Sequence, residues 1–522
     1  MTARAAPVGE RAVPHRALIT VCAMIATLMQ ALDSTIANVA LPYMQGSLSA
    51  TSDQITWVLT SYVVAAAIMT APVGWLAARF GRKNLFILCL VGFTVASMLC
   101  GVAQSLPQMV VFRLAQGVFG AALVPLSQAL MLDIYPPAMR GTAMAVWGMG
   151  VMVGPILGPT LGGYLTDVYN WRWVFYVNLP FGVAAVAGLA LFMPKSPTNN
   201  ALRFDWTGFG VLALGIGSLQ MMLDRGQDKD WFSSGEIITE AVLAGLGLYL
   251  FLAHLLTAEK PFITPRIFRD VNFSASLLMM FAVGVVLLAT SALLAPWLQT
   301  LGGYPVATAG LVMAPRGIGT MVCMLIAGKL ASRVDPRKIM GFGLLLLIWS
   351  LYESTTWTPD LDRWSLIATL VVQGAALGFV FIPLQVVAFA TLPAPLRTDG
   401  TSLLSLFRNV GSAIGISVTS ALLARNVQVN HSELGAFINP FNRALQGGGA
   451  AGHMMDPTRS GGAALLDAIV NNQALIIAYV DDYKFMMLTT LPALLLLFFM
   501  RRPGTPPASA AAEDGHHAAV MD

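Results

Sequence analysis

Ala17-Leu-Ile-Thr-Val-Cys-Ala-Met-Ile-Ala-Thr-Leu-Met-Gln30-Ala-Leu-Asp33-Ser-Thr-Ile-Ala-Asn38-Val39 is a long apolar run with a single carboxylate late in it. A helix of about 20 such residues crosses the hydrocarbon core of a bilayer. An ionisable group at that depth costs several kcal/mol or finds a partner, so by default it marks transport or proton-relay work. The other reading of Asp33 is an acid near a helix end, capping a neighbour or held by a structural arginine. No small-residue cleavage pattern follows a short apolar core, so the run reads as a retained helix and not as a removable signal peptide.

The rest of the chain has the same character. Of 522 residues 56% are hydrophobic and 11% charged, with a mean hydropathy of +0.70. Soluble domains carry about 25% charge, so the composition is that of an integral membrane protein. Fourteen segments are candidate spans, near 17–39, 55–77, 85–104, 108–131, 142–165, 173–193, 206–223, 236–257, 273–297, 308–330, 339–357, 365–390, 401–424 and 483–500. No alternating short segments suggest a barrel, which leaves an all-α protein. The cysteines Cys22, Cys89, Cys100 and Cys323 all fall inside spans and read as small packing residues. With the N-terminus inside, cytoplasmic segments hold 19 of the 30 Lys and Arg and extracytoplasmic ones 8. Both termini are therefore expected on the cytoplasmic side.

An internal repeat divides the chain. Gly74-Trp-Leu-Ala-Ala-Arg79-Phe-Gly81-Arg82-Lys83 returns as Gly328-Lys-Leu-Ala-Ser-Arg333-Val-Asp-Pro-Arg337-Lys338, offset by 254. Gln116-Gly117 returns as Gln373-Gly374, and Arg140, Gly154 and Gly158 as Arg397, Gly411 and Gly415, all offset by 257. Related halves are the usual construction of a transporter. The repeats lie eight spans apart, which two six-helix halves with an inserted helix pair explain. The expected organisation is a tail over 1–16, an N-terminal bundle over 17–194 and the inserted pair within 204–257. A C-terminal bundle follows over 273–500, with an extracytoplasmic loop at about 425–482, and then a tail over 501–522.

Five motifs carry a resemblance. They are the loop block at 74–83; Arg113 with Gln116-Gly117; the glycines and prolines at Gly150, Gly154-Pro155, Gly158-Pro159 and Gly162-Gly163; Leu32-Asp33 through Leu41-Pro42; and Leu223-Asp224-Arg225-Gly226 with Asp230-Trp-Phe-Ser-Ser234. Together they resemble the major facilitator superfamily, in its fourteen-span drug:proton antiporter branch. The resemblance implies the major facilitator fold with fourteen transmembrane helices, and multidrug efflux by alternating access, driven by the proton gradient. It also implies a place in the bacterial inner membrane and possible partners in a periplasmic adaptor and an outer-membrane channel. The last motif resembles permeases that work in such tripartite pumps.

Within that frame Asp33 and Arg113 are the candidate proton-coupling pair. Helix rise puts them roughly 12 Å and 8 Å below the outer ends of their spans, a shared depth. The alternative for Arg113 is a static tie between two helices. Gln30, one turn from Asp33, with Asn38 and Gln116, are candidate substrate contacts. Gly154, Gly158 and Gly162, spaced by four, offer a face for close helix approach, while Pro155 and Pro159 remove backbone donors and bend the helix. These five are candidate gating residues, with ordinary small-residue packing as the other reading. In the loop block Gly74, Arg79, Gly81, Arg82 and Lys83, with Asp133, are the candidate motif residues. Ala78 stands where the resemblance implies an acid that contacts the start of a helix in the opposite half, so the usual clamp is in doubt.

No His-Glu-x-x-His, no Gly-x-Ser-x-Gly and no clustered Cys or His occurs, which argues against an enzyme or a metal site. No Gly-x-x-x-x-Gly-Lys-Ser/Thr loop occurs either, so no ATP site or other cofactor is expected. The expected ligands are drug-like small molecules, protons and the lipid bilayer, and not nucleic acid. A membrane-embedded enzyme and an exporter of one endogenous lipid or metabolite are the rival readings.

Overall fold

The computed structural model describes residues 15–136, 139–439 and 460–501, and among them the regular structure is helix, with no strand. In chain order the longer helices are α1 (Arg16–Ser47), α2 (Trp57–Thr70), α3 (Val73–Phe80), α4 (Arg82–Val102), α5 (Leu106–Gly120), α6 (Leu123–Ile134), α7 (Arg140–Val168) and α8 (Asn178–Phe192). There follow α9 (Trp206–Arg225), α10 (Gly235–Thr257), α11 (Val271–Thr300), α12 (Val306–Leu330), α13 (Pro336–Ser354), α14 (Arg363–Ala390), α15 (Arg397–Gly435) and α16 (Ser460–Phe499). Acidic caps start several of them. Asp270 accepts from Phe273 N at 3.1 Å, Asp335 from Arg337 N at 3.1 Å and Asp362 from Trp364 N at 3.0 Å, each satisfying an amide the helix leaves open.

Among the described residues twelve helical stretches are long and apolar enough to cross a membrane, and a thirteenth if α2 and α3, bent by 61° across Pro72, make one span. Fourteen were expected. The eleventh expected segment is α13, whose uncharged part runs only from Ile339 to Tyr352, between Lys338 and Glu353. At 1.5 Å per residue that is roughly 21 Å against a core of about 30 Å.

The expected extracytoplasmic loop at 425–482 is corrected. Residues up to Gly435 continue α15, and residues from Ser460 belong to α16. These helices have 39 and 40 residues, and the last expected span is only the end of α16. Residues 440–459, like most of both expected tails (1–14 and 502–522), lie outside the described residues.

The chain gathers into two compact units. The first holds residues up to Phe209, with Ala258–Thr264 and Pro393–Leu403; the second holds Gly210–Thr257, Pro265–Leu392 and the residues from Leu404 on. The inserted pair α9–α10 thus groups with the second unit. In the first, Leu32, Ile36, Met44, Cys100, Met109, Trp171 and Phe175 form a buried core cluster.

Glycines decide how closely helices meet. A Cβ on Gly154 of α7 would lie 2.7 Å from Ala31 Cβ and 2.8 Å from Leu32 N, and one on Gly158 would meet Thr35. A Cβ on Gly117 of α5 would lie 2.5 Å from the Tyr62 carbonyl of α2. Helix α7 therefore seats α1 backbone to backbone, and α5 seats α2 in the same way. The second unit repeats both contacts: Gly411 and Gly415 meet Phe281 and Val285, and Gly374 meets the Arg316 carbonyl. The sequence repeat is a repeat of helix packing.

Candidate functional site

The two glycine contacts fix the register of a buried charge cluster. Seating α1 on Gly154 and Gly158 sets the height of Asp33, midway between the contact points Ala31 and Thr35. Seating α5 on α2 at Gly117 brings Arg113, one turn earlier, onto the face of α2 at Val58 and Tyr62. There Arg113 Nη1 donates to Asp33 Oδ2 at 2.7 Å and to Gln116 Oε1 at 2.8 Å. Gln116 Nε2 donates to Asp33 Oδ1 at 2.8 Å, and Arg113 Nε to the Val58 carbonyl at 3.0 Å. The guanidinium carbon lies 4.4 Å from the Tyr62 ring centroid and 5.7 Å from that of Phe175.

Asp33, Arg113 and Gln116 are each 0% exposed. Two ions without water cost several kcal/mol apiece to desolvate, and only good geometry with added hydrogen bonds repays this. Here both carboxylate oxygens are occupied, and the cation has an aromatic face as well.

The other expected substrate contacts divide. Gln116, expected to offer its amide to a substrate, uses both polar atoms within the ion cluster. Gln30 donates to the Tyr62 hydroxyl at 3.3 Å and so adjoins the same cluster through the ring over Arg113. Asn38 is exposed, five residues beyond Asp33 on α1. Of the expected gating residues, Gly154, Gly158 and Gly162 all face α1, Gly162 against Ile36. Pro155 is exposed on α7, and the side chain of Pro159 lies outside the described residues.

The loop block forms a second charged group. Arg82 pairs with Asp133, which also accepts from Arg397 at 3.3 Å. Gly74 faces Asp399, whose carboxylate occupies the space a side chain would need. Gly81 has φ +80 at the start of α4, a conformation suited to glycine. Arg79 instead reaches the carbonyls of Asn199 and Asn200, and Lys83 that of Ala190 at 2.8 Å. An acid therefore does reach this region, as Asp399 from the start of α15, although Ala78 supplies none.

Sequence reasoning missed Asp399 and Asp482. Asp482 was placed at the edge of a loop, yet it is 0% exposed in α16. The signal was present: no proline or glycine interrupts residues 463–491, so a helix could run through. Arg316 is 7% exposed and donates to Thr290 at 2.7 Å and Ser291 at 2.9 Å.

Comparison with known proteins gives the family and the fold. A family model described as the Major Facilitator Superfamily matches residues 23–416. The multidrug export protein EmrB of Escherichia coli K12 is 38% identical over 431 residues, covering 82% of this chain and 84% of that protein. The fatty acid resistance protein FarB of Neisseria gonorrhoeae is 36% identical over 431 residues, covering 82% and 85%. Among solved structures, the human organic anion transporter MFSD10 gives a TM-score of 0.57 at 14% identity, covering 93% of this chain and 100% of that one. At that identity the likeness speaks to the fold alone.

Proposed function

The chain belongs to the Major Facilitator Superfamily, and from that premise we propose that it is a proton-coupled antiporter exporting hydrophobic or amphipathic small molecules by alternating access. It is a transporter and not an enzyme. The observation that carries the coupling is the cluster of Asp33, Arg113 and Gln116, fully buried and closed at 2.7 Å. Protonation of Asp33 from the outside removes the anion that holds Arg113, α1 separates from α5, and the return stroke releases the proton inside. The names of the relatives support drug-like substrates, and a relative named for fatty acid resistance favours long amphipathic molecules as part of the range.

In this reading the chain has fourteen spans, with both termini cytoplasmic, in a bacterial inner membrane. It works without a metal, an ATP site or another cofactor. The parts of α15 and α16 beyond the bilayer offer a periplasmic adaptor its surface, and that adaptor leads to an outer-membrane channel. The glycine face of α7 acts as the gate hinge, with Gln30 and Asn38 meeting substrate.

A substrate panel in proteoliposomes under an imposed pH gradient tests this. Asp33→Asn is expected to abolish gradient-driven efflux while leaving counterflow exchange in place. Wild-type coupling in that variant would remove Asp33 from the role.

A further inference from the structure

The second unit holds a buried carboxyl group and a buried cation with no bond between them among the described residues. Asp482 of α16 is 0% exposed, and neither carboxylate oxygen has a hydrogen-bond partner among the described residues. Its neighbour Asp481 is the opposite case, paired at the surface with Lys484 at 3.4 Å. Arg316 of α12 is held by Thr290, Ser291 and the Leu287 carbonyl, all neutral acceptors. Tyr483 adjoins Asp482 in the chain. Its ring sits 5.5 Å from that of Trp357, and its hydroxyl and the Trp357 indole N–H are buried without partners as well.

Little else near Asp482 can balance a charge. Of the helices packed against α16, α11 has no ionisable side chain anywhere between Val271 and Thr300. Helix α13 brings Tyr352 and Glu353 at its near end and Arg337 and Lys338 at its far end. On α16 itself the neighbours are Tyr479, Asp481, Tyr483 and Lys484. An open cleft between α11, α15 and α16 has Tyr479 in its wall, one helical turn from Asp482. A carboxylate buried without a cation or a donor is strongly disfavoured, and its neutral acid is not.

We propose that Asp482 is a second proton-binding carboxylate of the transport cycle, protonated in this conformation and discharging by way of the Tyr479 cleft. The inference rests on the proton-coupled reading given above and adds to it a second proton. The step is a simple dissociation: the O–H bond of the acid breaks, the proton leaves to water, and the carboxylate that remains has the adjacent Tyr483 to turn its hydroxyl toward it when the helices shift. In the first unit the comparable ions are already closed on each other, so the two sites exchange protons in different conformations.

The test uses the full chain in proteoliposomes, with tetraphenylphosphonium as the probe, the membrane potential clamped to zero and a pH gradient of one unit. Each coupled proton multiplies the steady-state accumulation ratio by about tenfold, so Asp482→Asn should lower it by about tenfold and Asp482→Glu should restore it. A pH-difference infrared spectrum of wild type should contain a protonated-carboxyl band that Asp482→Asn removes. Because asparagine matches the neutral acid in shape and charge, this variant should unfold at the wild-type temperature. An unchanged accumulation ratio and infrared band in Asp482→Asn would overturn this inference alone and leave Asp33 as the coupling site. A marked loss of thermal stability would also overturn it, because it would mean that a charged Asp482 holds the fold. Wild type that accumulates nothing in response to the gradient would overturn the coupling reading and this one together.

Discussion

At the scale of single residues, Asp33 and Arg113 are bound by an asymmetry. Their pair adds little against a well-packed apolar replacement, but each alone is a buried, uncompensated charge. Arg113→Ala should therefore cost about 3–5 kcal/mol, as breaking a buried pair does. Asp33→Asn combined with Arg113→Gln should recover most of it, because neither charge then remains. Thermal unfolding of the single and double variants in detergent, read as a mutant cycle, checks this; a double variant as unstable as Arg113→Ala alone would refute it. The pair was legible in the sequence because ionisable residues stand out in apolar segments, and helix rise gave the two a common depth. Gln116 was seen too, but its placement between both ions was not. Spacing shows that Gln116 lies one turn from Arg113, and cannot show where an amide points. Asp482 was hidden by its neighbours: Asp481, Tyr483 and Lys484 make the local composition that of a loop, and only the fold distinguishes the buried acid from the exposed one.

Helices place those residues, and glycines place the helices. Gly154 and Gly117 each lie against main-chain atoms of the facing helix, at 2.8 Å and 2.5 Å from an added Cβ. Main chain cannot rotate aside as a side-chain end can. Gly154→Ala and Gly117→Ala should each destabilise by about 1–3 kcal/mol, the usual penalty for overpacking. Gly163→Ala, where a Cβ meets nothing within 4 Å, should stay within about 0.5 kcal/mol, as surface changes do. Melting temperatures of the three variants separate a seating role from mere helix propensity, which would penalise none of them. The spacing by four made the glycine face readable from sequence; that its partner is the helix bearing Asp33 was not, since no local signal names a distant neighbour. Helix ends were read least well, because hydropathy marks where lipid stops and not where hydrogen bonding stops. That is why α15 and α16 run far into what looked like a loop.

Across the whole molecule, the repeat in packing identifies equivalent positions. Contacts of Gly154 with Ala31 and of Gly411 with Phe281 relate α1 to α11 by 250 residues, while α5 and α14 differ by 257. Asp33 and Arg113 then correspond to Val283 and Leu370, which are 3% and 0% exposed. Gln116 corresponds to Gln373 and Tyr62 to Arg316. The two halves share a scaffold and differ in where they hold charge. Val283→Asp alone should lower stable expression, since the buried cation of the second unit, Arg316, already donates to Thr290, Ser291 and the Leu287 carbonyl. Val283→Asp with Leu370→Arg should restore monodisperse protein in size-exclusion chromatography, because the scaffold places the new pair as it places the old one. If the double variant aggregates as the single one does, the equivalence of sites fails even though the sequence repeat stands.

The lengths of α15 and α16 have a practical side. At 1.5 Å per residue, 39 and 40 residues extend roughly 60 Å, about twice the depth of hydrocarbon. His431 and Asp467 meet at 3.0 Å and tie α15 to α16 in the lengths that a bilayer would not cover. Small transporters are hard to align in electron microscopy because the micelle hides them. This one carries its own landmark, and a nanobody raised against the projecting ends of α15 and α16 would orient particles.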